Sequence, residues 1–406
     1  MKGPFMRTIQ SQLKIAFICL IIFSAGSVFS ASWECQIYPS EQKVEIDPTS
    51  GAKIIFITTD KASDTNLYFH NRCWIGERMM LFMSNRTGRS EVFGYIAKTG
   101  ELVRLNREQD ASAHSPVASR LGDRMYVARE NAIYQWKITI GHSPKLQVSI
   151  NETKICDLPA GASLFGGLNE NADASLVSFG YTLKGQQTIA VANIGTGTIE
   201  TVAKPPVQCG GHIQFSWTRP DLLMFNGSYG NDTAPLDTDE PPHVRIWFVN
   251  VITKTPVPAF YQKPGELATH ECWWVNDQVT FIGGFRPEEG DVKVLDIKTG
   301  EIRIVGAGAW LPGVEAKELS KVNWWHSSGS PDGRWVAGDN WHGIIALFDA
   351  KTTEKRVLTT GHRTYGHGAH SHVGWDLFGK SVEFTSNKLG NPDVCIGVIP
   401  INWRRK

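Results

Sequence analysis

THECWWVNDQVTFIGG (269–284) is followed closely by DVKVLDIKTGEIRIV (291–305), and together the two stretches contain four short strand-like segments. The segments are rich in apolar, β-branched and aromatic residues, and turn sequences such as Thr-Gly separate them, which is typical of consecutive hairpins. Four antiparallel strands in sequence order form one blade of a β-propeller. This part of the chain therefore predicts a blade, and a propeller requires several copies of it.

The first half of this unit occurs seven times along the 406 residues. The copies lie at 69–85, 115–131, 165–181, 211–227, 269–284, 325–340 and 371–387. A second pair of strand-like segments lies between successive copies, most clearly at 291–305 and 343–359. Repeats of this length indicate a modular architecture, and no segment has a sustained helical period. The sequence predicts an all-β fold, a seven-bladed β-propeller.

The N-terminal segment KVEIDPTSGAKIIFITT (43–59) resembles the outer hairpin of a blade, yet no inner pair precedes it. The seventh repeat, in contrast, ends at 393–403 without its outer strands. We expect the N-terminal segment to complete the last blade and to close the ring, because closure removes exposed sheet edges. Residues 31–406 would then form a single propeller domain.

Residues 1–30 have the pattern of a secretory signal peptide, with three cations, the apolar run IAFICLIIF (15–23) and small residues before a cut after Ser30. The run is short for a bilayer span, so we expect no membrane span after cleavage and a periplasmic or extracellular protein. A formal net charge of +1 gives no reason to expect a nucleic-acid partner. We expect a monomer.

Six histidines lie at or just before the starts of the predicted inner strands in the later blades, where such strands ring one mouth of a propeller channel. They are His212, His270, His326, His367, His370 and His372. His370 and His372 are two residues apart, so on a strand they share a face. With His326 and His367 they predict a site for a transition metal, which imidazole suits. The alternative is a polar channel in which these rings bond to water and backbone.

Three further side chains are candidates for other roles. His270 could be another ligand, a structural hydrogen-bonding group or a general base, and position alone leaves these alternatives open. His212 and Arg245 come from the preceding blade, and we expect both to bind substrate. A guanidinium can grip a carboxylate through two hydrogen bonds, although an ion pair between blades is the alternative for Arg245. Nearby tryptophans are more often core residues than sugar platforms.

Several short motifs, in this order, resemble those of the oligogalacturonate lyase family, over most of the chain after the signal. GHIQF (211–215), RIW (245–247), THECW (269–273), His326 before Asp-Gly and the run from His367 to Val373 carry the resemblance. It implies a manganese site with His326, His370 and His372 as ligands, His270 as the base and Arg245 assisting at the substrate. His367 stands where the family has a glutamine, so zinc, nickel and iron(II) remain alternatives to Mn²⁺.

The resemblance implies a lyase acting on an acidic oligosaccharide, an oligogalacturonate or a similar oligouronide, by metal-assisted β-elimination. The C5 proton of a uronate is α to a carboxylate, and a metal on that carboxylate stabilises the charge that develops when the proton leaves. Two alternatives stay open. One is a lyase for another uronide, such as an ulvan-type glycan, and the other is a non-catalytic binding platform.

Overall fold

A computed structural model describes residues 30–107, 113–227, 243–285, 288–309, 322–363 and 369–404. Their strands form seven antiparallel sheets. Each sheet contains at least four strand positions, numbered from the channel outward. The seven inner pairs coincide with the seven copies predicted from the sequence. The predicted all-β, seven-bladed propeller is confirmed.

The strands are numbered in chain order. The N-terminal strands are β1 (Ser30–Glu34), β2 (Gln36–Tyr38), β3 (Lys43–Ile46) and β4 (Lys53–Phe56). The first blade contains β5 (Asp64–Asn66), β6 (Trp74–Ile75), β7 (Met79–Ser84), β8 (Glu91–Ile96) and β9 (Leu102–Arg104). The second contains β10 (His114–Ala118), β11 (Arg124–Arg129), β12 (Ala132–Gly141) and β13 (Gln147–Asp157). The third contains β14 (Ser163–Glu170), β15 (Leu176–Leu183), β16 (Gln186–Asn193) and β17 (Ile199–Ala203).

The fourth blade contains β18 (Gln214–Phe215), β19 (Leu222–Asn226), β20 (Ile246–Asn250) and β21 (Pro256–Pro258). The fifth contains β22 (Glu266–Trp274), β23 (Gln278–Phe285), β24 (Asp291–Asp296) and β25 (Ile302–Gly306). The sixth contains β26 (Trp324–Gly329), β27 (Trp335–Asn340), β28 (Ile345–Asp349) and β29 (Lys355–Thr359). The seventh contains β30 (Gly374–Trp375), β31 (Ser381–Ser386) and β32 (Asp393–Val398). The described helices are a 3₁₀ turn at Val275–Asp277 and α1 (Ile401–Arg404).

The hairpin β3–β4 closes the ring. Strand β4 pairs with β32, and Phe56 lies opposite Cys395. The last blade therefore takes its three inner strands from the C-terminal end of the chain and its outer hairpin from the N-terminal end, as the sequence predicted. The sequence did not predict that β1 and β2 add outer strands to the second and first blades.

The hydrophobic core lies between neighbouring blades and includes most of the tryptophans near the histidines. Trp273, Trp274 and Trp324 are buried, as expected for core residues. The six cysteines that the structure describes are all free, and five of them are buried. Among the described residues no helix is long and apolar enough to cross a membrane.

The inner strand of the first blade is split, and this places a loop in the channel. Strands β5 and β6 both pair with β7: Asn66 lies opposite Phe82, and Trp74 lies opposite Met80. The chain between them, residues 67–73, therefore leaves the sheet. We call this segment the channel loop.

Irregular pairing also shapes the inner strands of other blades. The register shifts between Thr269 and Cys272 in β22, and between Trp324 and Ser327 in β26. Bulges of this kind turn side chains in new directions and often lie beside functional sites. Here they fall at His270 and His326, at the mouth of the channel where the inner strands begin.

Candidate metal centre

Three of the four predicted metal ligands come together. One nitrogen from each of His326, His370 and His372 lies within 4.8 Å of the others. The ring centroids are 4.5 Å apart for His326 and His372, and 5.4 Å apart for His370 and His372. This group is able to hold a metal ion. The fourth predicted ligand, His367, lies outside the described residues.

The orientation of His326 is fixed by Asp339 on the neighbouring strand β27. The Nδ1 atom of His326 lies 3.0 and 2.9 Å from the two carboxylate oxygens, and its backbone N–H donates to Oδ1 at 2.9 Å. Nδ1 therefore carries the proton and donates it to the carboxylate. The buried Nε2 has no hydrogen-bond partner among the described residues. Carboxylate-backed imidazoles of this kind are typical metal ligands.

The surroundings of the other two histidines of this group, His370 and His372, favour the neutral form of the ring. Burial, and then the neighbouring charge of His326, lowers the pKa of both His370 and His372. His372 has a positive φ of 48°, a backbone conformation that residues other than glycine seldom adopt. Because a metal needs the neutral form of imidazole, the site favours the state that binds one. These donors, together with the orphaned Nε2 of His326, fit a transition metal.

His270 lies beside this group, and its backbone conformation is also strained. Its φ is 53°, and its ring lies 4.4 Å from that of His326 and 4.6 Å from that of Trp325. Burial, and then the positive charges of neighbouring histidines and Arg245, holds the pKa of His270 well below its ordinary value. Its Nδ1 is buried and has no hydrogen-bond partner in the described part of the chain. His270 is thus a neutral acceptor next to the metal group.

The side chains of His212 and Arg245 meet at a carboxylate that the sequence analysis did not identify. Glu271 accepts from Nδ1 of His212 at 2.7 Å and from Nε of Arg245 at 3.1 Å. Burial raises the pKa of Glu271, but Arg245 and His212 outweigh that effect and lower it to about 2. The carboxylate is therefore ionised, and both predicted substrate-binding residues are anchored to it.

Tyr68 extends this arrangement into the channel. Its hydroxyl lies 2.9 Å from Nε2 of His212, and its ring lies 4.6 Å from that of His372. With Nδ1 of His212 donating to Glu271, Nε2 is the nitrogen of that ring that faces the tyrosine hydroxyl. The channel loop brings Tyr68 here from the first blade, with His70 5.3 Å from His212 between ring centroids.

The sequence signals for these additional residues were weak. Glu271 directly follows His270, and Asp339 lies in the strand paired with that of His326, but buried carboxylates are recognised only once their partners are known. Tyr68 lies just before the first copy of the repeat (69–85), and nothing in the sequence there indicates that the inner strand is interrupted. Trp325 differs from the other three tryptophans because it is only partly buried and lies beside His270.

Comparison with known proteins adds a structural similarity. No protein-family model and no curated protein matches the chain. A solved oligogalacturonate lyase in complex with manganese is 14% identical, with a TM-score of 0.74 over 92% of this chain and 100% of that one. An oligogalacturonate lyase from Vibrio parahaemolyticus is 16% identical, with a TM-score of 0.74 over 91% and 100%. The shared feature is the fold. At these identities the likeness supports the propeller architecture and no finer assignment.

Proposed function

We propose that this protein is a metal-dependent lyase that cleaves oligogalacturonate, or a similar oligouronide, by β-elimination. The observation that carries the proposal is the group His326, His370 and His372, with Asp339 behind His326 and neutral His270 beside it. A manganese-bound oligogalacturonate lyase has the same fold, so this architecture is compatible with such a metal site. His367 would be a further ligand.

The residues present would hold a divalent ion: the manganese-bound protein of the same fold favours Mn²⁺, while the nitrogen-rich set also suits zinc, nickel and iron(II). Such an ion would act as a Lewis acid on the uronate carboxylate. Arg245, fixed on Glu271, would add positive charge on the substrate side of the site. His212 would help to bind the sugar while it orients Tyr68.

His270 would take the C5 proton at its unpartnered Nδ1, because a neutral imidazole is an effective proton acceptor near neutral pH. The electrons of the C5–H bond form the C4–C5 double bond as the C4–O bond breaks. Tyr68, whose hydroxyl lies 2.9 Å from Nε2 of His212, would turn its one O–H proton toward the departing oxygen and transfer it there, leaving a tyrosinate that the proton on His270 later neutralises through solvent. The products are a 4,5-unsaturated uronate and a shortened oligosaccharide.

The test measures the ultraviolet absorbance of unsaturated uronate while the purified protein, with added Mn²⁺, acts on short galacturonate oligomers. We expect absorbance to rise, a chelator to stop it, and His270→Ala to lower the rate by at least about 100-fold with metal content unchanged. His114→Ala is the matched control, because His114 is exposed at the start of an inner strand in the second blade.

Two results would contradict the proposal. A flat trace with metal bound would exclude oligogalacturonate and direct the search to ulvan-type and other uronides. A flat trace with no metal bound would exclude the metal-dependent reaction and favour a non-catalytic platform.

We also propose that the chain is exported to the periplasm or the cell exterior. The predicted signal, residues 1–30, lies outside the described residues except for Ser30, which begins β1. Cleavage after Ser30 would leave Ala31 at the N-terminus, which mass spectrometry of the exported protein would detect. An intact Met1 in that protein would contradict the prediction.

A further inference from the structure

A second cavity opens at the other mouth of the channel. Its volume is about 180 Å³, and it is lined by turns that join first and second strands of the blades, including Trp217, Pro331 and Leu377. The histidine group lies where the first strands begin, so the two sites are at opposite ends. Phe69 separates them: it is 5% exposed, lines the cavity, and lies 5.4 Å from the ring of His326.

Two arginines line this cavity near the charge of Glu170 but form no salt bridge with it. Neither Arg72, from the channel loop, nor Arg120, from the turn after β10, forms an ion pair or a side-chain hydrogen bond with the residues that the structure describes. Both side chains are half-buried, and Nε of Arg120 is buried without a hydrogen-bond partner among the described residues. Burial, and then the charge of Arg120, lowers the pKa of Arg72 to about 9. Two half-buried guanidinium groups that lack a salt bridge can accept an anion from solvent.

The nearest carboxylate does not satisfy these arginines. Glu170 accepts instead from the hydroxyls of Ser119 at 2.6 Å and Tyr126 at 2.8 Å, and from the backbone N–H of Arg120 at 2.7 Å. Its oxygens are thus used by neutral donors. The guanidinium groups keep their hydrogen-bonding capacity for a molecule in the cavity.

Two carboxylates, Glu383 and Asp376, also line the cavity. Glu383 accepts from the Cys73 thiol at 2.9 Å and from the Trp74 indole at 3.3 Å, and burial raises its pKa to about 7. Asp376 accepts from the backbone of Lys380 and the hydroxyl of Ser381, both at 2.8 Å. Both carboxylates are thus held in place by neutral hydrogen-bond donors of the protein.

The remaining lining is aromatic and amide-bearing. Trp74, Trp217 and Trp375 provide apolar surface, and Asn71 and Asn169 provide hydrogen-bonding groups. Binding pockets typically combine such apolar walls with a few fixed polar groups. The volume is below that of a site for a drug-sized molecule, so the ligand is one sugar ring in size or smaller.

We infer that this cavity is a second binding site, for a carboxylated monosaccharide, with Arg72 and Arg120 as the carboxylate receptors and the tryptophans as walls for the ring. Arginine suits this role because its planar fork matches the two oxygens of a carboxylate. The site is independent of the metal centre and requires no turnover.

The test is isothermal titration calorimetry on the mature chain in the presence of a chelator, with D-galacturonate as the probe and D-galactose as its neutral counterpart. We expect one galacturonate to bind per chain and galactose not to bind. Arg120→Gln and Arg72→Gln should each weaken galacturonate binding by at least about tenfold, because each removes charged hydrogen bonds.

Two controls locate the binding. Arg219→Gln, at an exposed arginine on the same mouth of the channel, should bind galacturonate as the unaltered protein does. His326→Ala, at the opposite mouth, should also leave it unchanged. Thermal melting of Arg72→Gln, Arg120→Gln and Arg219→Gln without ligand checks that each variant is folded.

Three outcomes would overturn the inference. They are no binding of galacturonate, equal binding of galactose, and binding that is lost in His326→Ala while Arg120→Gln keeps it. Each of these is a binding result without turnover, so it is separate from the outcome of the lyase assay.

Discussion

At the scale of single residues, the chemistry of His326 depends on Asp339. The carboxylate holds the proton on Nδ1 and leaves Nε2 without a hydrogen-bond partner among the described residues, available to a metal ion. Two other residues of the site, His270 and His372, have positive φ angles, a conformation that costs energy and persists only where the surroundings enforce it. The backbone strain at His270 and His372 and the Asp339 carboxylate behind His326 have the same effect: they direct imidazole nitrogens toward one point.

Asp339→Asn should weaken Mn²⁺ binding by about 10- to 100-fold, because an amide holds the imidazole less firmly and does not raise its basicity. Calorimetric titration of the metal-free protein measures the effect. Asp349→Asn is the control, since Asp349 caps a turn of the same blade through the backbone N–H groups of Lys351 and Thr352. Equal metal affinity in Asp339→Asn and the unaltered protein would refute the role of Asp339.

At the scale of elements, the inner strands are less regular than the rest of the blades. Bulges in β22 and β26 turn His270 and His326 into the site, and the break between β5 and β6 releases the channel loop. That one loop supplies Tyr68 to the metal side of the channel and Arg72 to the opposite cavity. A regular inner strand would have kept both side chains out of these positions.

A close approach between two inner strands positions His212. Gly166 of β14 has a φ of 70°, and a Cβ there would collide with the backbone of Gly211, directly before His212. Gly166→Ala should therefore lower the free energy of unfolding by more than about 1 kcal/mol, through strain and steric conflict. Chemical denaturation measures it.

Gly185→Ala provides the matched control for this close approach. Gly185 has a similar φ of 80°, but a Cβ there would have no atom within 4 Å. It should show the backbone strain alone and lose less stability. An equal loss in the two variants would show that the contact with Gly211 contributes nothing.

At the scale of the whole molecule, the ring closes by joining the two ends of the described chain. Phe56 of β4 is fully buried in the core that includes Trp335 and Phe384. In the closed ring all seven blades face the central channel. Residues far apart in sequence, such as Tyr68 and His372, therefore become neighbours there.

Phe56→Ala should lower the free energy of unfolding by about 3–5 kcal/mol, because it opens a cavity in the core that seals the ring. Val44→Ala, on the exposed face of β3 in the same hairpin, should change it by less than about 0.5 kcal/mol. Equilibrium denaturation measures the free energy of unfolding of both variants. If the two losses were equal, the hairpin would not be contributing through its buried face.

The sequence by itself determined the architecture. Repeating pairs of strand-like segments specify blades because alternating residues and turn signals act locally, and the unmatched hairpin at 43–59 specified how the ring closes. The histidines of the metal group could be predicted for a related reason. Equivalent positions in successive repeats come to the same level of a ring, as His326, His370 and His372 do.

Only the tertiary structure decided what surrounds those histidines. Asp339, Glu271 and Tyr68 act through partners that lie on other strands or blades, and no local pattern encodes such pairings. The same is true of Arg72 and Arg120, which come from different blades to one cavity and form no salt bridge within the part of the chain that the structure describes. Bulges and a broken strand place these groups, and such irregularities arise from packing around the closed channel rather than from the periodicity of the sequence.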